Sequence, residues 1–398
     1  MDANYYRHGF LLDHRTYTTI DGPTIAGAGA NSTIVTGIND NGQIVGSFGD
    51  LIGAHGFLLS QGVYTLLDDP DSITGETAPA GINNAGVVVG YYGGPNVNQD
   101  PLSLSGLSRG FVYNNGVFTD APADPMASVG GQANGISNYG LVVGAYSDSI
   151  GTVHGYALYH GMFFTVDNPN ASIAEFNVNY NGTWASGINN SGQIVGYYYD
   201  IDGFTHGFLL ENGVYTEIDD PNAAPTGQWT YQNGTYAYDI NNLGQIVGYY
   251  YDADANAHGF LLDHGVYTEL DFPGAISTQA CGINDSGEIV GDFANAGEII
   301  QPFVLEGGEY TAPGPVANSS FSIALGINNK GQIVGIYLDF GTGEQLANGY
   351  LLEDGIYYDI DVPGAASTSL TGINDSGDIV GYFQDSAGDH GFRTHYSP

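Results

Sequence analysis

The chain is short of cations. Five Lys and Arg stand against 43 Asp and Glu in 398 residues, a formal net charge of -38, and Lys330 is the only lysine. Nucleic acids and anionic membranes are gripped by clustered Lys or Arg, so neither is expected as a partner. Cysteine is nearly absent too. With Cys281 alone, no intrachain disulfide and no site built of several thiolates can form. No run approaches the roughly 18 apolar residues that mark a membrane-spanning helix. The opening residues, MDANYYRHGF, carry no charged-then-apolar leader, so a signal peptide is expected to be already removed or never present.

Extreme net charge often accompanies disorder. Here it arises from missing cations, because 42% of the residues are apolar and 13% aromatic, enough to bury. Sixty-two glycines and 30 tyrosines, with three methionines, favour strands and tight turns over helices. An all-β fold follows.

What the sequence has in abundance is repetition. GIN-type triplets begin at Gly37, Gly81, Gly135, Gly187, Asp239, Gly282, Gly326 and Gly372, with spacings of 44, 54, 52, 52, 43, 44 and 46 residues. Each is followed by strand-like IVG, HGF and YT segments, as in GINNSGQIVGYYYDIDGFTHGFLLENGVYTEIDDP from Gly187 to Pro221. NNSG-type turns join the first two strands of a unit, and pairs such as Asn212-Gly213 join the last two as type I′ turns. Four short strands per unit of this length match the blade of a β-propeller better than a solenoid coil. The expected architecture is one domain over residues 1–398, most simply eight four-stranded blades. Eight blades need 32 strands, whereas the segments number 33, because HGF-like segments occur nine times, from His8 to His390. Pairing of N-terminal with C-terminal strands, with one terminal HGF segment displaced or unpaired, accounts for the surplus. Seven blades plus a partial unit is the alternative.

GINNSGQIVGYY followed by HGFLL resembles the repeat of a bacterial extracellular family called HAF, whose units carry a GIN, a VVG and a His-Ala-Phe segment. The resemblance covers nearly the whole chain. This sequence has Gly where the family has Ala, and closes its units with YTxID. The resemblance implies secretion and a propeller-like repeat, and brings no chemistry with it.

The repeated histidines, His8, His55, His154, His206, His258 and His390, invite comparison with a ring of metal ligands. Hairpin register gives a structural alternative. Counting out from Asn212-Gly213 places His206 opposite Asp219, and the same 13-residue separation joins His8 to Asp21, His55 to Asp68, His154 to Asp167 and His258 to Asp271. Where the histidine gives way to Arg109 or Pro302 the acid is lost as well, while Asn348 keeps Asp361. Joint loss is what a structural His–Asp hydrogen bond predicts, and each carboxylate should raise the pKa of its histidine.

Departures from the repeat are the places to look for function. Two adjacent linkers, Asn168 to Ser186 and Asp220 to Asp239, are long and aromatic. They hold both tryptophans, Trp184 and Trp229, with Phe176, Tyr180, Tyr231, Tyr236 and Tyr238. Such rings beside Asn and Gly suit stacking on sugars or gripping a peptide, although loops of this kind can also pack on each other and cap the fold. Asp200-Ile-Asp202-Gly203 and Asp252-Ala-Asp254-Ala-Asn256 space oxygen donors as weak calcium loops do, or as solvated turns do. An insertion holds Gly106-Leu-Ser108-Arg-Gly110, formally a hydrolase G-x-S-x-G, but without the strand, turn and helix that elbow needs. Asn-x-Ser/Thr triplets at Asn31, Asn170, Asn181, Asn189, Asn233 and Asn318 are near the chance level for this composition.

The reading these features favour is a secreted or surface-displayed binding propeller for carbohydrate or another extracellular polymer or protein. A lyase or hydrolase is the competitor, with Glu175 and Asp239 as candidate acids, since Asp239 stands where the other seven units have Gly. An adhesion or assembly module is the third.

Overall fold

The computed structural model describes the chain except for residues 1–9, 14–17, 24–31, 50–52, 71, 73–75, 93–108, 122–126, 149–150, 160–161, 174–180, 225–231, 298–299, 313–318, 340–345, 354, 386–387 and 396–398. Every regular element among the described residues is a strand, and there are 33 of them. They fall in chain order into antiparallel groups of the blade type, each strand beside the next within its group. The fourth is typical, with strands Thr183–Ile188, Ile194–Tyr199, Thr205–Glu211 and Val214–Ile218. Seven such groups span 32–67, 77–121, 127–165, 183–218, 235–270, 277–311 and 319–359. The eighth combines Ser367–Ile373, Asp378–Asp385 and Gly388–His395 with Thr18–Ile20 from the other end of the chain. The fold class is the β-propeller.

That eighth sheet joins the termini as the count of segments predicts. The surplus HGF segment is not left unpaired, however. Phe10–Asp13 is a fifth strand there, parallel to Gly388–His395 and antiparallel to Thr18–Ile20. Phe10 and Phe392 both register on Thr19, because the two segments carry the same motif and fit the same partner.

By its contacts the chain divides into two compact units, one of residues 1–99, 112–118 and 312–398, the other of 100–111 and 119–311. Within each, the core lies between successive sheets. Val143, Ala157 and Val166 of the third sheet pack with Ala185, Ile194, Tyr198 and Phe208 of the fourth. Val195 and Ile218 of the fourth pack with Ala237, Ile246, Tyr250 and Phe260 of the fifth. The IVG and HGF motifs are two halves of one contact. Gly196 pairs across the sheet with Phe208, and a Cβ on Gly196 would meet the Phe208 ring at 2.9 Å and Trp184 O at 1.9 Å. The second strand therefore needs glycine where the third needs a fully buried phenyl ring.

The GIN turn does more than reverse the chain. The Oδ1 of Asn241 accepts N–H bonds from Leu243 (3.1 Å) and Gln245 (3.0 Å), while its Nδ2 donates to Gln245 Oε1 (2.8 Å) and to the carbonyl of Asn284 (3.0 Å), its counterpart in the next sheet. Asn189 reaches Asn241 in the same way (3.0 Å), as do Asn328 Asn374, Asn374 Asn39 and Asn39 Asn83. The following residue adds a second link. The N–H of Asn138 donates to Asn190 Oδ1, Asn190 to Asn242, and Asn242 to Asp285, each at 2.8 Å. A third recurs at several of the points where one sheet hands the chain on: the N–H of Asn168 donates to Thr183 Oγ1 and that of Asp220 to Thr235 Oγ1, both at 3.0 Å.

Seven sheets keep the first Asn, and Ser137 stands in its place in the third, where its Oγ accepts the Leu141 N–H (3.1 Å). Asn241 is buried and Asn242 is exposed, so the two links differ in what their loss leaves unpaired in the core. Asn241→Ala is expected to lower unfolding free energy in urea by about 2–4 kcal/mol and Asn242→Ala by about 1 kcal/mol or less. Equal losses would contradict this account of the turn.

Candidate functional site

The two long linkers are built alike at their bases. The side chain of Asn181 accepts the Val153 N–H (3.0 Å) and donates to Gly151 O (3.2 Å); Asn233 accepts from Thr205 N (2.8 Å) and donates to Gly203 O (3.1 Å). Each is followed by a glycine at positive φ, Gly182 (74°) and Gly234 (65°). A Cβ there would lie 1.7 Å from Val153 O or 1.8 Å from Thr205 O, so only glycine fits. The other rims are fixed too, since Ser172 donates to Tyr199 O (2.7 Å) and Ala224 to Tyr251 O (3.0 Å). With 1% and 0% of their surface exposed, Asn181 and Asn233 are closed to glycosylation in the folded chain. Asn189 is buried in its GIN turn as well.

Two residues past each glycine comes an aromatic ring. Trp184 and Tyr236 lie on first strands of sheets, Thr183–Ile188 and Thr235–Ile240, and not in loops. Trp184 is half-buried and stacks on Tyr197 at 6.1 Å and 10°. Tyr197 meets Tyr236 at 4.9 Å, and Tyr236 stacks on Tyr249 at 4.9 Å and 16°. Tyr199 and Tyr251 close the ladder edge-on. Burial pushes the phenols of Tyr197, Tyr236 and Tyr249 well above their ordinary value, so they stay neutral. The Nε1 of Trp184 is buried with no acceptor among the described residues. Tyr238, by contrast, is 45% exposed. Sequence reading named Trp184, Tyr236 and Tyr238 but missed Tyr197 and Tyr249, although YYY at 197–199 and 249–251 occurs in no other IVG segment.

Phe176, Tyr180 and Glu175 of the first linker and Trp229 and Tyr231 of the second lie outside the described residues, as do His8 and Ser108. Asp239 is held by the backbone: it accepts the N–H of Ile240 (2.8 Å) and of Ile283 in the next sheet (3.1 Å). Burial raises its pKa in spite of these bonds. Its position is that of a clasp between sheets. Cys281 nearby is pushed up to about 12, chiefly by burial, which makes it a poor thiolate.

The His–Asp register holds. Nδ1 lies 2.7 Å from Oδ2 in His154–Asp167, His206–Asp219 and His258–Asp271, and 3.0 Å in His55–Asp68. Asp361, opposite Asn348, accepts the Gly349 N–H at 3.3 Å, and burial brings it up to about 6. A second carboxylate, not foreseen from sequence, stands on the far side of three of the rings. Nε2 of His154 is 3.3 Å from Asp148 Oδ2, that of His206 3.5 Å from Asp200, and that of His258 3.3 Å from Asp252. In His154 the Asp167 hydrogen bond raises the pKa over the opposing effect of burial; in His206 and His258 burial pulls downward and the two carboxylates together outweigh it.

The acidic loops are accordingly occupied. Asp200 Oδ1 accepts the N–H of Asp202 (2.9 Å) and Phe204 (2.8 Å), and Asp252 Oδ1 those of Asp254 and Asn256 (both 2.9 Å). Asn256 Nδ2 adds a bond to Asp252 Oδ2 (3.2 Å). Asp202 and Asp254 point no carboxylate bond into these turns and are exposed.

No protein-family model matches this chain, and no curated relative matches it. Among solved structures it is similar to the β-propeller domain of the Trilobed protease of Pyrococcus furiosus (10% identity, 83% of this chain and 98% of that one, TM-score 0.48). It is also similar to a lectin from Burkholderia pseudomallei (10%, 81% and 94%, TM-score 0.44) and to virginiamycin B lyase from Staphylococcus aureus (16%, 79% and 93%, TM-score 0.44).

Because the three histidine pKa values lie above the ordinary 6.5, the stability these contacts contribute is fully present below about pH 6.5 and is lost as pH rises through the folded values. In chelator, His206→Gln/His258→Gln is expected to cost about 1 kcal/mol per site near pH 6, a charge-assisted bond discounted for its half-exposed carboxylate. The gap from the parent should shrink toward pH 9. A pH-independent gap in melting midpoint would contradict the pairing.

Proposed function

We propose that the chain is a binding propeller, extracellular as the HAF resemblance implies, that recognises a carbohydrate polymer through its fourth and fifth sheets. The observation that carries the reading is the concentration of exceptions there. Both long aromatic linkers end in hydrogen-bonded Asn-Gly bases beside the ring ladder, and Tyr238 is left exposed. A flat ring covers the apolar face of a sugar, while neighbouring amides and hydroxyls take its hydroxyl groups. No Lys or Arg occurs between Arg109 and Lys330, so this part of the chain has no lysine or arginine to pair with a uronate or sulfate. A neutral glycan suits it and an acidic one does not.

A glycan array bearing neutral and acidic polysaccharides tests this with Trp229→Ala and Tyr238→Ala, both run in chelator. Neutral-glycan affinity is expected to fall about five- to thirtyfold in each variant with the melting midpoint within about 2 °C of the parent, as stacking on one ring is worth about 1–2 kcal/mol. Full binding by the double variant, or binding confined to acidic glycans, would overturn the proposal.

A further inference from the structure

The fourth and fifth sheets carry a second constellation, away from the ring ladder. In each, an imidazole and two carboxylates converge: His206, Glu217 and Asp219 in one, His258, Glu269 and Asp271 in the other. Their ligand atoms all lie within 4.8 Å of one another. His206 is on the third strand of its sheet and Glu217 on the fourth, with Asp219 just beyond. Each Glu is steered by a tyrosine, Tyr198 OH donating to Glu217 Oε2 (2.9 Å) and Tyr250 OH to Glu269 Oε2 (3.1 Å). Each Asp keeps one buried oxygen, Oδ1 of Asp219 and of Asp271, without a hydrogen-bond partner among the described residues.

Electrostatics leaves these groups short of positive charge. Asp200, Glu217 and Asp219 face a single imidazole, and so do Asp252, Glu269 and Asp271. With no Lys or Arg from residue 110 to 329, no permanently charged cation of this stretch can answer them. The far carboxylate completes a familiar logic. Nε2–H directed at Asp200 or Asp252 fixes the tautomer that leaves the Nδ1 lone pair for a metal, as second carboxylates do for ligating histidines.

We infer that these two clusters are paired sites for a divalent transition cation of the zinc class, each held by one imidazole Nδ1 and two carboxylates, with the remaining coordination open to water. The inference is independent of the carbohydrate reading. One nitrogen and two oxygens suit a borderline ion such as Zn²⁺ rather than Ca²⁺, which takes six to eight oxygens. Ligands at about 2.0–2.2 Å from zinc stand roughly 3.3–3.6 Å apart in a tetrahedral site. Nδ1 and Oδ2, now 2.7 Å apart, part by roughly 0.6–0.9 Å while the exposed Glu closes in. The metal displaces the proton now shared between them. Asp200 and Asp252 thus serve as positioning residues for the histidines rather than as calcium ligands.

The third sheet supplies an internal control. His154 has both of its carboxylates, Asp148 and Asp167, but Thr165 stands where Glu217 and Glu269 do. Equilibrium dialysis of the full chain against Zn²⁺ at pH 7.5, read by elemental analysis, tests the assignment. Two zinc ions per chain are expected to bind, undisplaced by a hundredfold excess of Ca²⁺. Glu217→Gln/Glu269→Gln, an exposed and isosteric change, should weaken both at least tenfold, and Thr165→Glu should add a third site. Displacement by Ca²⁺, an unchanged stoichiometry and affinity in the double Gln variant, or no zinc bound at all would each overturn it.

Discussion

The structure depends on an asparagine side chain that serves two chain segments at once. In the GIN turns of Asn39, Asn189, Asn241, Asn328 and Asn374 the Asn Oδ1 satisfies two N–H groups of its own turn, and its Nδ2 reaches the backbone of the next sheet. A tight turn alone would stabilise one hairpin. This group makes the closing of one hairpin and the docking of the next sheet the same event, which suits a repeat whose sheets cannot bury their apolar faces singly. Apolar packing between neighbouring sheets supplies the bulk of the stabilisation, and the amides fix its register.

Because the repeat settles its own polar groups, exceptions to it stand out. Asp239 shows how an exception can still be structural: a carboxylate replaces Gly and clasps the backbone of the adjacent sheet. The two long linkers are exceptions of another kind. Their Asn-Gly bases are fixed by side-chain-to-backbone hydrogen bonds, yet each linker contains residues the repeat does not need. A fixed base under a variable loop is how a scaffold presents a binding surface. The histidine clamps divide similarly, with the His–Asp pair common to several sheets and the added Glu confined to two.

Much of the fold was legible because its signals are local. Type I′ turns follow from Asn212-Gly213, whose φ values are 51° and 79°, and that register alone put His206 opposite Asp219. The union of N- and C-terminal strands followed from counting segments. Asn241 looked like a turn residue only, because its bond to Asn284 joins residues 43 apart and has no local signature. Asp200 is another such case: its D-x-D-G spacing is local, while its contact with His206 across the sheet has no signature in the loop itself. Trp184 and Tyr236 were placed in loops since linker length hides where a strand resumes, and the ladder they form with Tyr197 and Tyr249 needs two sheets to exist.

The amides of the GIN turns test the central claim most directly. Ser191, Gln193, Leu243 and Gln245 sit at hairpin tips, where amides normally exchange with solvent quickly, yet each donates to the Oδ1 of a buried Asn. In residue-resolved hydrogen exchange they are predicted to be as slow as the strand amides of Ile194–Tyr199, opening only when neighbouring sheets separate. Fast exchange at these four positions, with the strands still protected, would show that the asparagines do not couple one sheet to the next.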